Sequence, residues 1–414
     1  MYSTPTRSLG RSILKSFFAI GVALSATTAS ADIIFDDGLT HELTGVHFDN
    51  VILRNRSDLN VGDGSFLQSP NSSPAVRNEH GGATINLNGN ATVIGGIRYL
   101  NWGNDDDRVT ASGSSLVVGG SGGGSALSGM RLVDLNESAR LIGGYGDTRG
   151  GMAIENSTSG SVHVNISGGS AIGGNGGQIG GAGIGQFGAD EGLGLNMTAG
   201  TIRGGYGVNT GGNGIGGNGF ENPFGTVSGG QISGGNGGNT GGHGIYNQSY
   251  AGLSFEGGQV SGGNGGLYGG DTLHFRSADA VSLSISGGSF DAGIGSLEDG
   301  WLLYAFGRSI DIDITGGLFG YENMGKGLGI FNHATVDVFG WDLKFEDNWL
   351  TGYLSDGSWL DVQVSLLSSV FPGAGAGYLN LHNGFSTKSV PEPATFALLG
   401  IGLLGMRFAK RKAG

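Results

Sequence analysis

Residues 162–177 read VHVNISGGSAIGGNGG, and related copies of this stretch recur along the chain. The pentapeptide 162–166 alternates apolar and polar residues, which is the pattern of a half-buried β-strand. Its last apolar residue recurs with a nearly constant spacing, at Leu135, Ile166, Met197, Val227, Phe255, Ile285 and Ile314. A spacing this regular predicts a stacked repeat architecture.

Each repeat contains two further apolar sites separated by glycine-rich turns. A Ser-Gly-Gly turn such as 167–169 precedes the second site, and a Gly-Gly-Asn-Gly-Gly loop such as 173–177 follows it. The second sites are Ile172, Ile202, Ile232, Val260, Phe290 and Phe319; the third sites are Ile154, Ile184, Ile215, Ile245 and Ile330. Three short strands per repeat with glycine corners predict an all-β fold, a right-handed parallel β-helix (solenoid) with coils of about 30 residues.

The predicted β-helix covers residues 32–385. Its early coils look less regular, because the anchors Leu53, Leu87, Val109 and Leu135 are unevenly spaced. Residues 340–385 contain a hairpin pattern about 356–357 and the large side chains Trp341, Phe345, Trp349, Trp359 and Phe371. We expect this aromatic-rich region to cap the apolar core, as solenoids require, and residues 386–390 to form a linker.

The N-terminal segment 1–31 has the layout of a signal peptide. A basic start contains Arg7, Arg11 and Lys15, and an apolar stretch follows at 17–24. Ala29 and Ala31 frame a small-residue cleavage site. The pattern predicts export, with a mature chain that begins near Asp32.

The composition limits the partners and the chemistry of the exported body. Of the 21 Lys and Arg residues, seven lie in 1–31 and 394–414, so residues 32–393 carry 14 basic and 34 acidic residues, a net charge of −20. This charge argues against nucleic acid as a partner. The chain has no cysteine, which excludes disulfides and thiolate metal sites. Its 90 glycines, without a Gly-X-Y period, exclude collagen.

The C-terminus carries an ordered set of three elements. Val390, Pro391, Glu392 and Pro393 form a stiff spacer, since proline resists helix formation. The apolar run 394–406 follows, and it is shorter than the roughly 18–20 residues needed to cross a bilayer. The basic stop consists of Arg407, Lys410, Arg411 and Lys412. This segment, 391–414, resembles the PEP-CTERM sorting signal of bacteria that make exopolysaccharide.

The resemblance implies a route and two partners. An exosortase, an integral-membrane protease, would process the tail of this exported protein. A C-terminal hydrophobic helix would anchor the chain transiently in the inner membrane, with the basic stop on the cytoplasmic side. The final location would be the cell surface or the extracellular space. We therefore expect a non-enzymatic structural protein associated with an exopolysaccharide (biofilm) matrix.

Two other functions stay open at this point. Gly242-His243-Gly244 resembles an element of polygalacturonase-like glycosidases, and Asp105-Asp106 resembles their paired carboxylates, so a β-helical polysaccharide lyase or glycosidase is the alternative. However, the two elements lie several repeats apart in the chain, and glycoside hydrolysis needs two facing carboxyl groups. The third function is a carbohydrate-binding adhesin, which would stack sugars on Tyr145, Tyr206, Tyr246 or Tyr268.

The densest acidic run offers one metal candidate. Asp105, Asp106 and Asp107 could supply oxygen ligands to Ca²⁺. We expect a solvated loop here instead, and no cofactor.

Overall fold

The computed structural model describes residues 32–70, 74–100, 107–157, 161–186, 192–216, 222–248, 251–277, 279–320, 325–367 and 375–384. Within these ranges the protein is all-β and contains no helix, as the alternating pattern predicts. None of the described residues forms a helix that is long and apolar enough to cross a membrane. The predicted signal peptide and the C-terminal hydrophobic helix lie outside the described residues.

The chain forms short strands for the most part. They are β1 (Ile33–Phe35), β2 (Thr40–Leu43), β3 (Val46–His47), β4 (Val51–Leu53), β5 (Asp58–Val61), β6 (Phe66–Gln68), β7 (Val76–Asn78), β8 (Thr84–Leu87), β9 (Thr92–Gly95), β10 (Ile97–Tyr99), β11 (Arg108–Ala111), β12 (Leu116–Gly119), β13 (Leu127–Ser128), β14 (Leu132–Leu135), β15 (Arg140–Ile142), β16 (Ile154–Asn156), β17 (Val162–Ile172), β18 (Ile184–Gln186), β19 (Gly192–Arg203), β20 (Asn222–Val227), β21 (Gln231–Ser233), β22 (Ile245–Asn247), β23 (Ala251–Ser261), β24 (Leu273–Arg276), β25 (Val281–Asp291), β26 (Leu303–Phe306), β27 (Ile310–Ile314), β28 (Leu318–Phe319), β29 (Leu328–Phe331), β30 (Thr335–Glu346), β31 (Trp349–Leu354), β32 (Trp359–Ser365) and β33 (Tyr378–Asn383).

The strands form three parallel stacks, in which each strand pairs with its equivalent in the next repeat. Stack 1 runs from β1 through β4, β7, β10, β13, β16 and β18, crosses a bridge at Ile215, and continues through β22, β24, β26, β29 and β32. Stack 2 runs from β2 through β5, β8, β11, β14, β17, β19, β20, β23, β25, β27, β30 and β33. Stack 3 runs from β3 through β6, β9, β12, β15, β17, β19, β21, β23, β25 and β28.

Equivalent apolar residues lie on top of one another inside the stacks. In stack 2 this column consists of Leu43, Val61, Leu87, Ala111, Leu135, Ile166, Met197, Val227, Phe255, Ile285, Ile314, Val338 and Leu381. The predicted register from Leu135 to Ile314 is therefore confirmed. Nearly all of these side chains are buried, so alternation along each strand places every second residue in one continuous core.

The early repeats are more regular than the sequence suggested. Leu53 belongs to stack 1 and not to the stack 2 column. Val109 lies two residues before Ala111, and Ala111 is the residue that pairs with Leu135 in the column. The true column positions Val61, Leu87, Ala111 and Leu135 are almost evenly spaced along the chain. In the same way, Ala171 rather than Ile172 is the buried second site, because it pairs with Ile202 across the stack. Ala171 follows Ile166 by five residues, as Ile202 follows Met197.

A glycine-rich segment lengthens six consecutive repeats relative to the earlier ones. In each, this segment connects the core positions of stacks 3 and 1, as from Ala171 to Ile184. Two glycines of each segment donate a backbone hydrogen bond of 2.7–2.9 Å. One bond joins the two glycines of the same repeat and the next joins them to the following repeat, so that the bonds form one continuous series. Its members are Gly144, Gly151, Gly174, Gly181, Gly205, Gly212, Gly235, Gly242, Gly263, Gly270, Gly293 and Gly300. We call this series the glycine lattice. At most of its members an added Cβ would overlap the backbone of a neighbouring repeat, so glycine is required for close approach.

The C-terminal strands close the stack differently from the predicted aromatic cap. β31 and β32 form the predicted antiparallel hairpin, and β30 also pairs with β31. The buried residues of the hairpin are Leu350, Leu354, Leu360, Val362 and Val364. Trp349 and Trp359 are 41% and 51% exposed, whereas Phe345 is partly buried and packs against the core, so aliphatic side chains and this one phenylalanine cover its end. Phe371 lies outside the described residues.

Candidate functional site

A polar groove of about 690 Å³ runs across successive repeats beside the glycine lattice. One wall is a column of residues at equivalent places in successive repeats: Asn175, Tyr206, Asn236, Asn264 and Ile294. The facing column follows the core residues of stack 3 and consists of Arg203, Ser233, Ser261 and Asp291. The groove therefore presents amide, hydroxyl and charged groups along the direction in which the strands stack.

Backbone N–H groups hold the groove asparagines in place. The Tyr206 N–H donates to Asn175 Oδ1 over 3.0 Å, and the Asn264 N–H donates to Asn236 Oδ1 over 3.0 Å. The Ile294 N–H donates to Asn264 Oδ1 over 2.9 Å. Because each amide oxygen is held by the next repeat, each amide NH₂ is left as a positioned donor. Such donors are pre-organised for a ligand that lies along the groove.

One tyrosine contributes an aromatic face to this wall. Tyr206 is 47% exposed, and Tyr145, at 58%, occupies the same column two repeats earlier. These two tyrosines therefore lie at equivalent places of their repeats. Tyr268 stands in a different column, where it follows Thr240. Tyr246 lies on stack 1, away from this wall.

A second polar group forms where the loops enter stack 1. Asn213, His243, Asp271 and Trp301 occupy equivalent positions in four successive repeats. The His243 N–H donates to Asn213 Oδ1, and the Asp271 N–H donates to His243 Nδ1, each over 3.0 Å. The Trp301 N–H donates to Asp271 Oδ1 over 2.6 Å. The side chains of Asn213, His243 and Asp271 thus each accept a backbone hydrogen bond from the next repeat.

His274 completes this second group, which we call the His–Asp–His cluster (His243, Asp271 and His274). His274 Nδ1 lies 2.6 Å from Asp271 Oδ2, and His243 Nδ1 lies 3.5 Å from the same oxygen. The His274 ring stacks on Tyr304 with centroids 4.5 Å apart, and the Tyr246 ring packs against it at 5.0 Å with a tilt of 33°. Ring stacking and the carboxylate together fix the orientation of this imidazole.

The environment shifts the titration of two cluster members. Burial and the nearby His274 lower the pKa of His243 to about 4, against an opposing effect of Asp271. Burial acts to raise the pKa of Asp271, but the His274 hydrogen bond and the His243 charge outweigh it and lower this pKa. At neutral pH the cluster therefore consists of a carboxylate and, at His243, a neutral imidazole.

Sequence reasoning missed this cluster because it considered only Asp105 and Asp106 as the carboxylates that could act with His243. Asp271 follows His243 by one repeat, and His274 comes shortly after Asp271 on the same strand stack. That spacing is informative only when the register of the repeats is known. The proposed carboxylate partners Asp105 and Asp106 lie outside the described residues.

The remaining candidate residues fall into two groups. Asp107 is only 1% exposed, and its Oδ1 accepts hydrogen bonds from the Gly82 N–H at 2.5 Å and Asn78 Nδ2 at 3.3 Å. The expected solvated loop does not extend to this residue, whose carboxylate joins neighbouring repeats. The sorting residues Val390, Pro391, Glu392 and Pro393, the basic stop, and Ala29 and Ala31 lie outside the described residues.

Comparison with known proteins identifies the C-terminus. Residues 389–412 match the family described as the PEP-CTERM protein-sorting motif. This match indicates an exported, membrane-transiting protein that an exosortase recognises. No curated protein and no solved structure matches the chain.

Proposed function

We propose that this chain is a non-enzymatic structural protein of the cell surface or extracellular matrix, and that it is associated with exopolysaccharide. Its body would be a right-handed parallel β-helix, with the three stacks as its faces. Export brings the body to the compartment where exopolysaccharide accumulates. The observation that carries the matrix role is the polar groove along the stacked repeats.

The groove suits a linear polysaccharide for three reasons. It is extended along the stack, so that successive sugar units would meet equivalent groups in successive repeats. The amides of Asn175, Asn236 and Asn264 are held as donors by backbone hydrogen bonds. Tyr206 offers a half-exposed ring on which a sugar face can pack. Such a surface binds a polyhydroxylated chain without chemistry.

The lining of the groove favours binding over hydrolysis. Glycoside hydrolysis requires two carboxyl groups that flank the scissile bond. Among the described residues that line the groove, Asp291 carries the single carboxylate. The proposal therefore assigns this surface to retention of polysaccharide.

The C-terminal segment would deliver the body. In this proposal the apolar run 394–406 holds the chain transiently in the inner membrane until the exosortase processes the tail near Pro391–Pro393. Deleting 390–414 and fractionating the cells tests this route. We expect the truncated protein to leave its normal compartment and to lose processing, whereas unchanged localisation and processing would refute the sorting role.

A separate binding experiment tests the groove. Mature exported protein is sedimented with exopolysaccharide from the producing cells, and Tyr206→Ala is compared with Tyr268→Ala. Tyr268 is similarly exposed, at 42%, but stands outside the groove. We expect Tyr206→Ala alone to weaken binding about tenfold, the equivalent of roughly 1.4 kcal/mol. Equal binding by both variants, or release of reducing ends from the polymer, would contradict the proposal.

A further inference from the structure

We infer that the His–Asp–His cluster is a binding site for a divalent transition metal, of which zinc is the best match. The donor atoms of His243, Asp271 and His274 all lie within 4.8 Å of one another. His243 comes from one repeat, and the other two residues come from the next. A bound ion would therefore join two successive repeats.

The donor set and its spacing suit zinc. Two imidazole nitrogens and a carboxylate oxygen are a common ligand set for this ion, which takes nitrogen and oxygen ligands at about 2.0–2.2 Å. Ligand atoms in such a tetrahedral site lie about 3.3–3.4 Å apart. His243 Nδ1 and Asp271 Oδ2 are already 3.5 Å apart. The 2.6 Å contact between His274 Nδ1 and Asp271 Oδ2 is a hydrogen bond that opens when the ion replaces its proton.

Outer contacts hold two of the ligands in position. The Trp301 N–H donates to Asp271 Oδ1 and leaves Oδ2 directed at the histidines. Tyr304 stacks on the His274 ring, and Tyr246 packs against the same ring at a tilt of 33°. Partners of this kind orient metal ligands and raise the affinity of a site.

The site is accessible, and binding breaks a second hydrogen bond besides the one between His274 and Asp271. The side chains of His243, Asp271 and His274 are 25%, 10% and 16% exposed, and a cavity of about 250 Å³ lies beside His243 and Tyr246. His243 Nδ1 accepts the Asp271 N–H over 3.0 Å, and the ion must replace that hydrogen bond. We therefore expect weaker binding than in a closed four-ligand zinc site, with water at the fourth position.

Metal analysis of the mature protein tests the inference. The protein is purified without a polyhistidine tag, stripped with a chelator, dialysed against zinc and analysed by mass spectrometry of the elements. We expect one zinc ion per chain and a rise in the unfolding temperature that grows with zinc concentration. This result does not depend on the proposed matrix role, since no polysaccharide takes part.

Two variants and one control locate the ion. His243→Asn keeps an acceptor for the Asp271 N–H, as Asn213 does in the preceding repeat, and Asp271→Asn keeps the acceptor for the Trp301 N–H. Both should fold and lose at least tenfold in zinc affinity. His163→Asn changes a histidine on stack 2 that packs on Phe224, and should bind zinc like the wild type.

Cobalt provides a readout that needs no variant. Cobalt bound by two imidazoles and a carboxylate in a tetrahedral site should give intense visible absorption, which zinc should abolish by displacement. Failure of the wild-type protein to bind zinc, unchanged zinc binding in both cluster variants, or the absence of this cobalt spectrum would each overturn the inference.

Discussion

Replacing Gly205 with alanine is expected to destabilise the protein by about 3–5 kcal/mol, because the glycine lattice has no room for a side chain. A Cβ at position 205 would lie less than 3.0 Å from the carbonyl oxygen of Gly174 in the preceding repeat. That oxygen belongs to the backbone and accepts the Gly181 N–H over 2.8 Å, so no flexible group can move aside.

The magnitude follows from the hydrogen bonds that must lengthen. Gly205 donates its N–H to Gly181 over 2.8 Å and accepts the Gly212 N–H over 2.9 Å. Leaving a buried backbone group without its partner costs about 1–3 kcal/mol. Two such groups account for about 3–5 kcal/mol when the neighbouring repeats relax in part.

Gly252→Ala is the matched control for this substitution. Gly252 lies in β23 and is exposed, and the nearest atom to the Cβ that alanine would add is Phe224 Cβ at 3.7 Å, an ordinary contact. Alanine at such a position leaves stability unchanged or raises it by about 0.5 kcal/mol. Urea unfolding followed by circular dichroism measures both variants. If the free energies of unfolding of the two variants differ by less than about 1 kcal/mol, the glycine lattice accommodates a Cβ and close packing does not require glycine there.

Three further predictions concern the core and its ion pairs. Phe255→Ala removes a fully buried ring that packs edge-on against Phe290, and should lower the free energy of unfolding by about 3–5 kcal/mol in urea titrations. Phe224→Ala removes a ring that is 38% exposed and should lower it by less than about 1 kcal/mol. The hydrogen bond from Arg54 lowers the pKa of Glu79 in the folded state. The stability that this carboxylate contributes is therefore present above the unfolded pKa near 4.5 and is lost as the pH falls from there through the lowered folded pKa. Glu79→Gln should cost about 1 kcal/mol at neutral pH and should weaken the loss of stability in acid, as urea titrations at several pH values would show. Burial raises the pKa of Tyr99 well above 10, so this phenol stays protonated in the folded state at a pH where it ionises in the unfolded state. Alkaline unfolding should therefore begin as the pH rises through about 10. Tyr99→Phe should move the onset of alkaline unfolding to a higher pH, as circular dichroism against pH would show.

The strand period could be predicted from the sequence because one apolar residue marks each repeat. Ile166, Met197 and Val227 stand in one column of the structure, as their spacing indicates. Alternation counted from Ile166 favours Ile172 over Ala171, but the Gly-Gly turn between them offsets the alternation by one residue. The five-residue step from Met197 to Ile202 carries the same offset and identifies Ala171 as the inward residue. Alternation counts residues along a strand and does not detect an extra one at a turn.

The candidate sites depended on information that lies between repeats. His243 approaches Asp271 and His274 because Ile245 pairs with Leu273 in the next repeat. The order of residues along the chain does not give this pairing. The groove likewise requires two columns to face each other across the glycine lattice. In contrast, the sorting motif is local in sequence, and residues 389–412 were recognisable without any structure.

Intact-mass spectrometry of the mature protein from its own cells shows where both ends of the exported chain lie. We expect a chain that begins near Asp32 and ends near Pro391–Pro393, because the proposed export and sorting route would remove both terminal segments. A mature chain that retains the apolar run 394–406 and the basic stop would contradict it.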